Sequence, residues 1–228
     1  MKSVIKRIMN KDIKNSQNLT GIKILFNEQD VTKATASIIG PSESMYENAV
    51  LLFRISFPNT YPYKPPKVEY IPMNNIRIHP NLYSNGKVCL SLLGTWPGPS
   101  WTSIMDISSI LLCIQSLLTD NPLRNEPGFE SINGEVNDNY NKVIKYNSID
   151  SLIIDTYLNL SEELIYFKNI ISEHIIKNND NIKKKINQNL NINENVTVSL
   201  YGINININYK NLNQKYINFY ENLKKIQV

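Results

Sequence analysis

Apolar residues recur at intervals of three to four over residues 3–18, where Val4, Ile5, Ile8, Met9 and Ile13 share one side and Lys6, Arg7 and Lys11 take the other. This spacing predicts a short amphipathic helix, stopped by Gly21. Strand-like runs follow at 22–26, 34–39 and 49–57. Each is bounded by turn residues: Asn27 to Asp30, Gly40-Pro41-Ser42 and Pro58-Asn59. A fourth short run, 67–71, comes after the proline-rich Tyr61-Pro62-Tyr63-Lys64-Pro65-Pro66. Short connections between successive strands predict a four-stranded antiparallel meander, and an aromatic before proline in a tight turn favours a cis bond at Tyr61-Pro62.

From residue 76 to 98 neither period is sustained, and His, Pro, Asn and Gly punctuate the chain. Irregular segments of this length in compact domains usually carry function. The period of a helix returns at 104–118, ended by Asn121-Pro122, and again at 138–158 and 161–177. Past residue 178 the chain turns rich in Asn and Lys and patterning weakens. A strand-like 196–200 precedes Gly202, and Tyr209, Leu212, Tyr216, Phe219, Tyr220 and Leu223 mark a closing amphipathic helix at 209–226. No internal repeat is visible.

Composition narrows the classes. A chain of 228 residues, 42% hydrophobic and 19% charged, can hold one large domain, or an ordinary domain with an appendage. The net charge of +4 is spread along the chain, and its tightest run, Lys183-Lys184-Lys185, reads as a solvated face. Nucleic acid is therefore not an expected partner. No apolar stretch is long enough to span a bilayer, and no long apolar run follows the charges of the first seven residues, so neither a membrane segment nor a signal peptide is expected. Two cysteines are too few for a secreted disulfide scaffold, which points to a reducing compartment, the cytosol or nucleus.

Those cysteines differ in context. Cys113 lies in the apolar run 110–114 and reads as helix core. A lone cysteine is more often a small buried hydrophobe than a nucleophile. Cys89, however, sits in the irregular segment with Gly, Pro and polar groups close by. His79 could serve it as a base, since His is the usual partner of a catalytic thiol. A structural imidazole bracing the loop beside Pro80 fits His79 equally. Two Cys and two His at these separations match no zinc spacing, and no phosphate-binding glycine loop is present, so no metal and no cofactor is expected.

The ordered pieces Gly40-Pro41, Phe57-Pro58, Tyr61-Pro62-Tyr63-Lys64-Pro65-Pro66-Lys67-Val68, His79-Pro80-Asn81, Gly86-Lys87-Val88-Cys89-Leu90 and Trp101 resemble the ubiquitin-conjugating enzyme (UBC) family over about residues 3–150, with Asn81 and Cys89 eight positions apart. Cys89-Leu90-Ser91-Leu92-Leu93-Gly94-Thr95-Trp96 and Asn125-Glu126-Pro127-Gly128-Phe129-Glu130 are similar to the large, C-terminally extended Z-type members. The resemblance implies an α+β fold of the UBC kind: an N-terminal helix, the four-stranded antiparallel meander, an active-site loop and C-terminal helices. Residues 1–150 would form this core domain. Residues 151–228 would form a mainly helical extension packed on it, with a mobile Asn/Lys-rich connection near 178–195.

The resemblance also implies a chemistry. Cys89 would accept ubiquitin as a thioester from an activating enzyme, which itself uses the ATP, and pass it to a lysine amine of a protein substrate, alone or with a ligase. Asn81 would donate to the oxyanion of that transfer or hold the loop, and His79 and Pro80 would be structural. Ser91 stands where many members have Asp. Asp120 is the nearest acidic candidate to deprotonate the lysine, with Glu126 and Glu130 as substitutes. Lys6 and Arg7 match positions that meet the activating enzyme, and Tyr63 matches an aromatic that ligases pack against. Thr102-Ser103-Ile104 replaces the common Ser-Pro-Ala loop. Three other readings remain open here: an enzyme for a ubiquitin-like modifier, a non-catalytic scaffold of the same fold, and a cysteine hydrolase, the last lacking a base.

Overall fold

In the computed structural model, residues 2–226 are described, and they divide into two compact units. Among the described residues, the first comprises 2–41 and 51–119, and the second 42–50 and 120–226. This cut does not coincide with the boundary expected at residue 150. The stretch 120–150 belongs with the C-terminal third, as does the connection between the second and third strands.

In the first unit, helix α1 spans residues 2–15 and widens into a π turn at Ile8–Asp12. The sheet follows in the order β1-β2-β3-β4, with β1 Ile22–Phe26, β2 Lys33–Ile39, β3 Val50–Ser56 and β4 Lys67–Ile71. The β1–β2 register pairs Ile22 with Ile38 and Ile24 with Ala36, so one face presents a buried apolar ladder. In β4, Val68 and Tyr70 face in while Lys67 and Glu69 face out. The cis bond expected at Tyr61-Pro62 is present.

The π turn has a purpose that the apolar spacing of α1 did not reveal. It carries Asp12 into the interior, fully buried, where Oδ1 accepts from the Tyr61 hydroxyl at 2.5 Å and from the Ile107 N–H at 2.9 Å. One carboxylate thus joins α1, the Tyr61-Pro62 turn and the start of helix α2, Ile107–Leu117. Burial pushes the Asp12 carboxyl up from its ordinary range. Helix α2 begins three residues later than its apolar run suggests. Asp106 caps it by accepting from the Ser108 and Ser109 N–H groups, and Ile104 is left 76% exposed in the preceding loop.

The second unit contains α3 (residues 135–158, with a π turn at Asp150–Asp155), α4 Phe167–Lys177, α5 Asn179–Asn187, the hairpin β5 Asn193–Val198 with β6 Ile203–Asn208, and α6 Tyr209–Ile226. Most of the stretch near 178–195, expected as a mobile connection, is regular structure, with a turn at 188–192 between α5 and β5. Ile182 and Ile186, one turn apart, are fully buried on α5, and Lys185 pairs with Glu47 at 2.6 Å. The extension is also less purely helical than expected, because β6 alternates Ile and Asn and pairs with β5. His174 is half-buried on α4, with Nε2 on the Asn48 carbonyl at 3.2 Å.

Candidate active site

The segment 81–89 folds back on itself. The Cys89 N–H donates to the Asn81 carbonyl at 2.8 Å, Leu82 bridges Val88, and the Tyr83 N–H donates to the Lys87 carbonyl at 3.0 Å. The turn is closed by the Gly86 N–H on the Tyr83 carbonyl. Gly86 is required there: its φ is +89°, and a Cβ would lie 3.0 Å from the Tyr70 carbonyl oxygen. The eight-position spacing of Asn81 and Cys89 is therefore what sets the two residues across from each other.

Side chains lock this pairing. The Asn81 Nδ2 donates to the Cys89 carbonyl at 2.9 Å, so the two residues bond in both directions. The Asn81 N–H donates to His79 Nδ1 at 3.0 Å, and His79 Nε2 lies 3.0 Å from the carbonyl of Leu117 at the end of α2. A carbonyl can only accept, so Nε2 carries the proton and Nδ1 accepts. The imidazole is neutral, and complete burial pushes it down to about 3. It ties the loop to the carbonyl of Leu117, which also accepts from the Thr119 N–H at 2.9 Å, and has no free lone pair for a thiol. Of the two roles open to His79, the geometry supports the structural one. Arg77 donates to the Pro80 carbonyl and lies over the Tyr83 ring, 3.7 Å from its centroid.

On the far side of Cys89, the Thr95 Oγ1 accepts from the Leu90 N–H at 2.9 Å and donates to the Val88 carbonyl at 2.8 Å. One hydroxyl thus clamps both neighbours of the cysteine. The reading from sequence gave Thr95 no role; its signal was its place in the run that begins at Cys89. Cys89 itself is 2% exposed and free, and Cys113 is also free but only half-buried, contrary to its expected place in the core. On α2 the buried side runs through Ile107, Ile110, Leu111 and Ile114, and Cys113 falls at its edge.

The loop brings together His79, Pro80, Asn81 and Cys89. Asp120 belongs to the other unit and is exposed. Glu126 accepts from the Tyr201 hydroxyl at 2.6 Å, and the Glu130 carboxyl is held below its usual range by the backbone N–H groups of Glu130 and Gly128. Lys6 is exposed and Tyr63 is 84% exposed. Arg7 turns inward instead, with Nη2 on the Met105 carbonyl at 2.5 Å and on that of Ser103 at 3.3 Å. Trp101 Nε1 donates to the Pro62 carbonyl at 2.7 Å.

The family model for ubiquitin-conjugating enzymes matches residues 8–148, more than half of the chain. The chain belongs to the ubiquitin-conjugating enzyme family. Among its relatives are the proteins named ubiquitin-conjugating enzyme E2 Z of Danio rerio and Homo sapiens. Each is 44% identical over 138 residues, which is 59% of this chain and 42% and 39% of theirs. A probable ubiquitin-conjugating enzyme E2 of Acanthamoeba polyphaga mimivirus is 31% identical over 190 residues, covering 76% of this chain and 13% of that protein. The chain thus spans about two fifths of the length of the Z-type relatives that it matches. Among solved structures, an E2 domain from Toxoplasma gondii is 29% identical with a TM-score of 0.45, covering 54% of this chain and 79% of that one. The four-stranded sheet, the Cys89 loop and α2 lie within the residues that the conjugating-enzyme model matches.

Proposed function

We propose that this chain carries ubiquitin as a thioester on Cys89 and passes it to a lysine amine of a protein substrate. The observation that carries the reading is the reciprocal bonding of Cys89 and Asn81 in a loop braced by His79 and Thr95. Such a mount holds a thiol in one place without a histidine base. That suits a nucleophile whose thiolate is the leaving group of the next step.

In the first step the Cys89 thiolate attacks the thioester carbonyl of ubiquitin on the activating enzyme and displaces that enzyme's thiolate. In the second, the lysine amine attacks the Cys89 thioester, the carbonyl oxygen takes up negative charge, and collapse expels the Cys89 thiolate and leaves an amide. Asn81 is the positioning residue of the loop, and its second amide hydrogen is the candidate donor to that oxyanion. His79 cannot take the proton of the amine, since both ring nitrogens are engaged and burial keeps the ring neutral. That leaves a carboxylate, with Asp120 as candidate. Exposed Lys6 is the candidate contact for the activating enzyme and exposed Tyr63 for a ligase. Arg7, engaged with the loop at 103–105, would shape that surface from within. Unpaired cysteines fit the cytosol or nucleus.

The test is to incubate the chain with ATP, an activating enzyme and either ubiquitin or a ubiquitin-like modifier, then run a non-reducing gel. A thiol-sensitive adduct with ubiquitin is expected. An adduct only with another modifier would change the cargo, and no adduct with any would leave a non-catalytic scaffold.

A further inference from the structure

A groove of about 800 Å³ opens on the first unit beside the Cys89 loop. That volume suits a drug-sized ligand or a short peptide segment. Its floor is apolar, built from Phe57, Pro65, Pro66 and Leu93. Its rim is not: Lys33, Lys64, Lys67 and Lys87 all line it, and all four are exposed. The only carboxylate in the lining is Glu69, and it lies 2.6 Å from the ammonium of Lys67. A chain whose net charge is just +4 therefore concentrates four cations around one cleft. The lining also includes Val88, which precedes Cys89, and Thr95, whose hydroxyl clamps both neighbours of Cys89.

We propose that this groove binds an acidic segment of the protein substrate next to the lysine to be modified. The inference rests on the carrier reading above. An acceptor lysine approaching Cys89 brings a positive charge toward four others. A segment whose carboxylates outnumber its ammonium groups turns that repulsion into attraction, and the apolar floor accepts its aliphatic stems. Single-stranded nucleic acid fits less well. Its bases need aromatic faces to stack on, and the single aromatic lining residue, Phe57, is 5% exposed. The groove thereby sets a preference for lysines in acidic sequence.

The test uses the full chain and two peptides, each with one lysine, flanked by glutamates in one and by glutamines in the other. Binding to the uncharged chain is read by fluorescence anisotropy, and transfer is read by chasing the isolated ubiquitin thioester. At low salt the acidic peptide is expected to bind and to accept ubiquitin about tenfold better than its neutral counterpart. The gap should close near 1 M salt, where screening acts over about 3 Å. The charge reversal Lys33→Glu with Lys64→Glu should remove the preference in both readouts, while circular dichroism shows that the variant folds as the parent does. Equal binding of the two peptides, a preference that survives the reversal, or a single-stranded oligonucleotide binding in place of the peptide would each overturn the groove assignment. Failure to form any thioester would instead sink the carrier reading, and peptide binding would still decide the groove.

Discussion

The two cysteines sit on opposite kinds of scaffold. Cys113 rides on a regular helix whose backbone is satisfied by its own turns, and its half-buried side chain lies at the edge of the buried face. Partial burial pushes its thiol up, toward the unreactive protonated form. Cys89 sits in a segment without regular structure, yet its surroundings are bonded more specifically: Asn81 across from it, His79 behind Asn81, and Thr95 gripping both of its neighbours. Exposure alone would favour Cys113 over the proposed carrier, since Cys89 is 2% exposed. What separates the two is how the backbone around the sulfur is held. A helix holds its residues whatever their side chains do, whereas this loop is held by side chains that have little other use. At 2% exposure, the proposed loading would also require neighbouring side chains to shift aside.

The largest contrast should come from removing each thiol in turn. Cys89→Ala is expected to abolish the thiol-sensitive adduct, while Cys113→Ala charges at the parent's rate. Next comes Asn81. Asn81→Ala should still load, because loading is exchange between two thiols, but its discharge to free lysine should slow by about 100-fold or more, the usual cost of losing an oxyanion donor. Single-turnover discharge on a gel measures this, and equal rates would remove Asn81 from the chemistry.

Much of this loop could be read from the order of motifs, because its bonds depend on residue type. His79 and Asn81 bond through their side chains, and Gly86 takes a φ of +89° that other residues rarely adopt. The sheet was readable for another reason: its buried faces alternate with turns between them. What escaped was of two kinds. Asp12 looked like one more polar residue of an amphipathic helix, and only the π turn carries it inside. Asn-rich composition hid the second unit. The alternation of Ile203, Ile205 and Ile207 with asparagines is a plain strand signal, and Ile182 and Ile186 form a plain helical pair, but neither stood out against the same asparagines elsewhere. Ile104 continues the apolar spacing of the helix but lies in an exposed loop before it; Asp106, the cap, marks where the helix begins.

Thr95 offers a finer probe of the loop. Thr95→Val keeps the shape but strands the Leu90 N–H and the Val88 carbonyl, which should cost about 1–3 kcal/mol in chemical denaturation. Thr95→Ser should recover most of it. Equal stability of Thr95→Val and the parent would show that the clamp contributes nothing.

The same loop should also show a pH dependence. His79 is held at about 3 in the folded chain, against an ordinary value of 6.5. Between those values the unfolded chain takes up a proton that the folded chain does not. The contribution of His79 to stability is therefore complete above about pH 6.5 and drains as the pH falls toward 3, by at most about 1.4 kcal/mol per unit. Asp12, raised by burial, acts in the opposite sense and gains on acidification. Comparing His79→Asn with the parent cancels that term, so the stability gap between them should narrow as the pH drops from 6.5. A gap independent of pH would mean that the ring is not buried neutral.

The most direct measurement leaves the chain unmutated. The charged chain is alkylated with one reagent, its thioester is cleaved, and the newly freed thiol is alkylated with a second, distinguishable one before peptide mapping. The second label is expected on Cys89, with Cys113 carrying only the first. The second label on Cys113, or on neither cysteine, would contradict the assignment of Cys89 as the carrier.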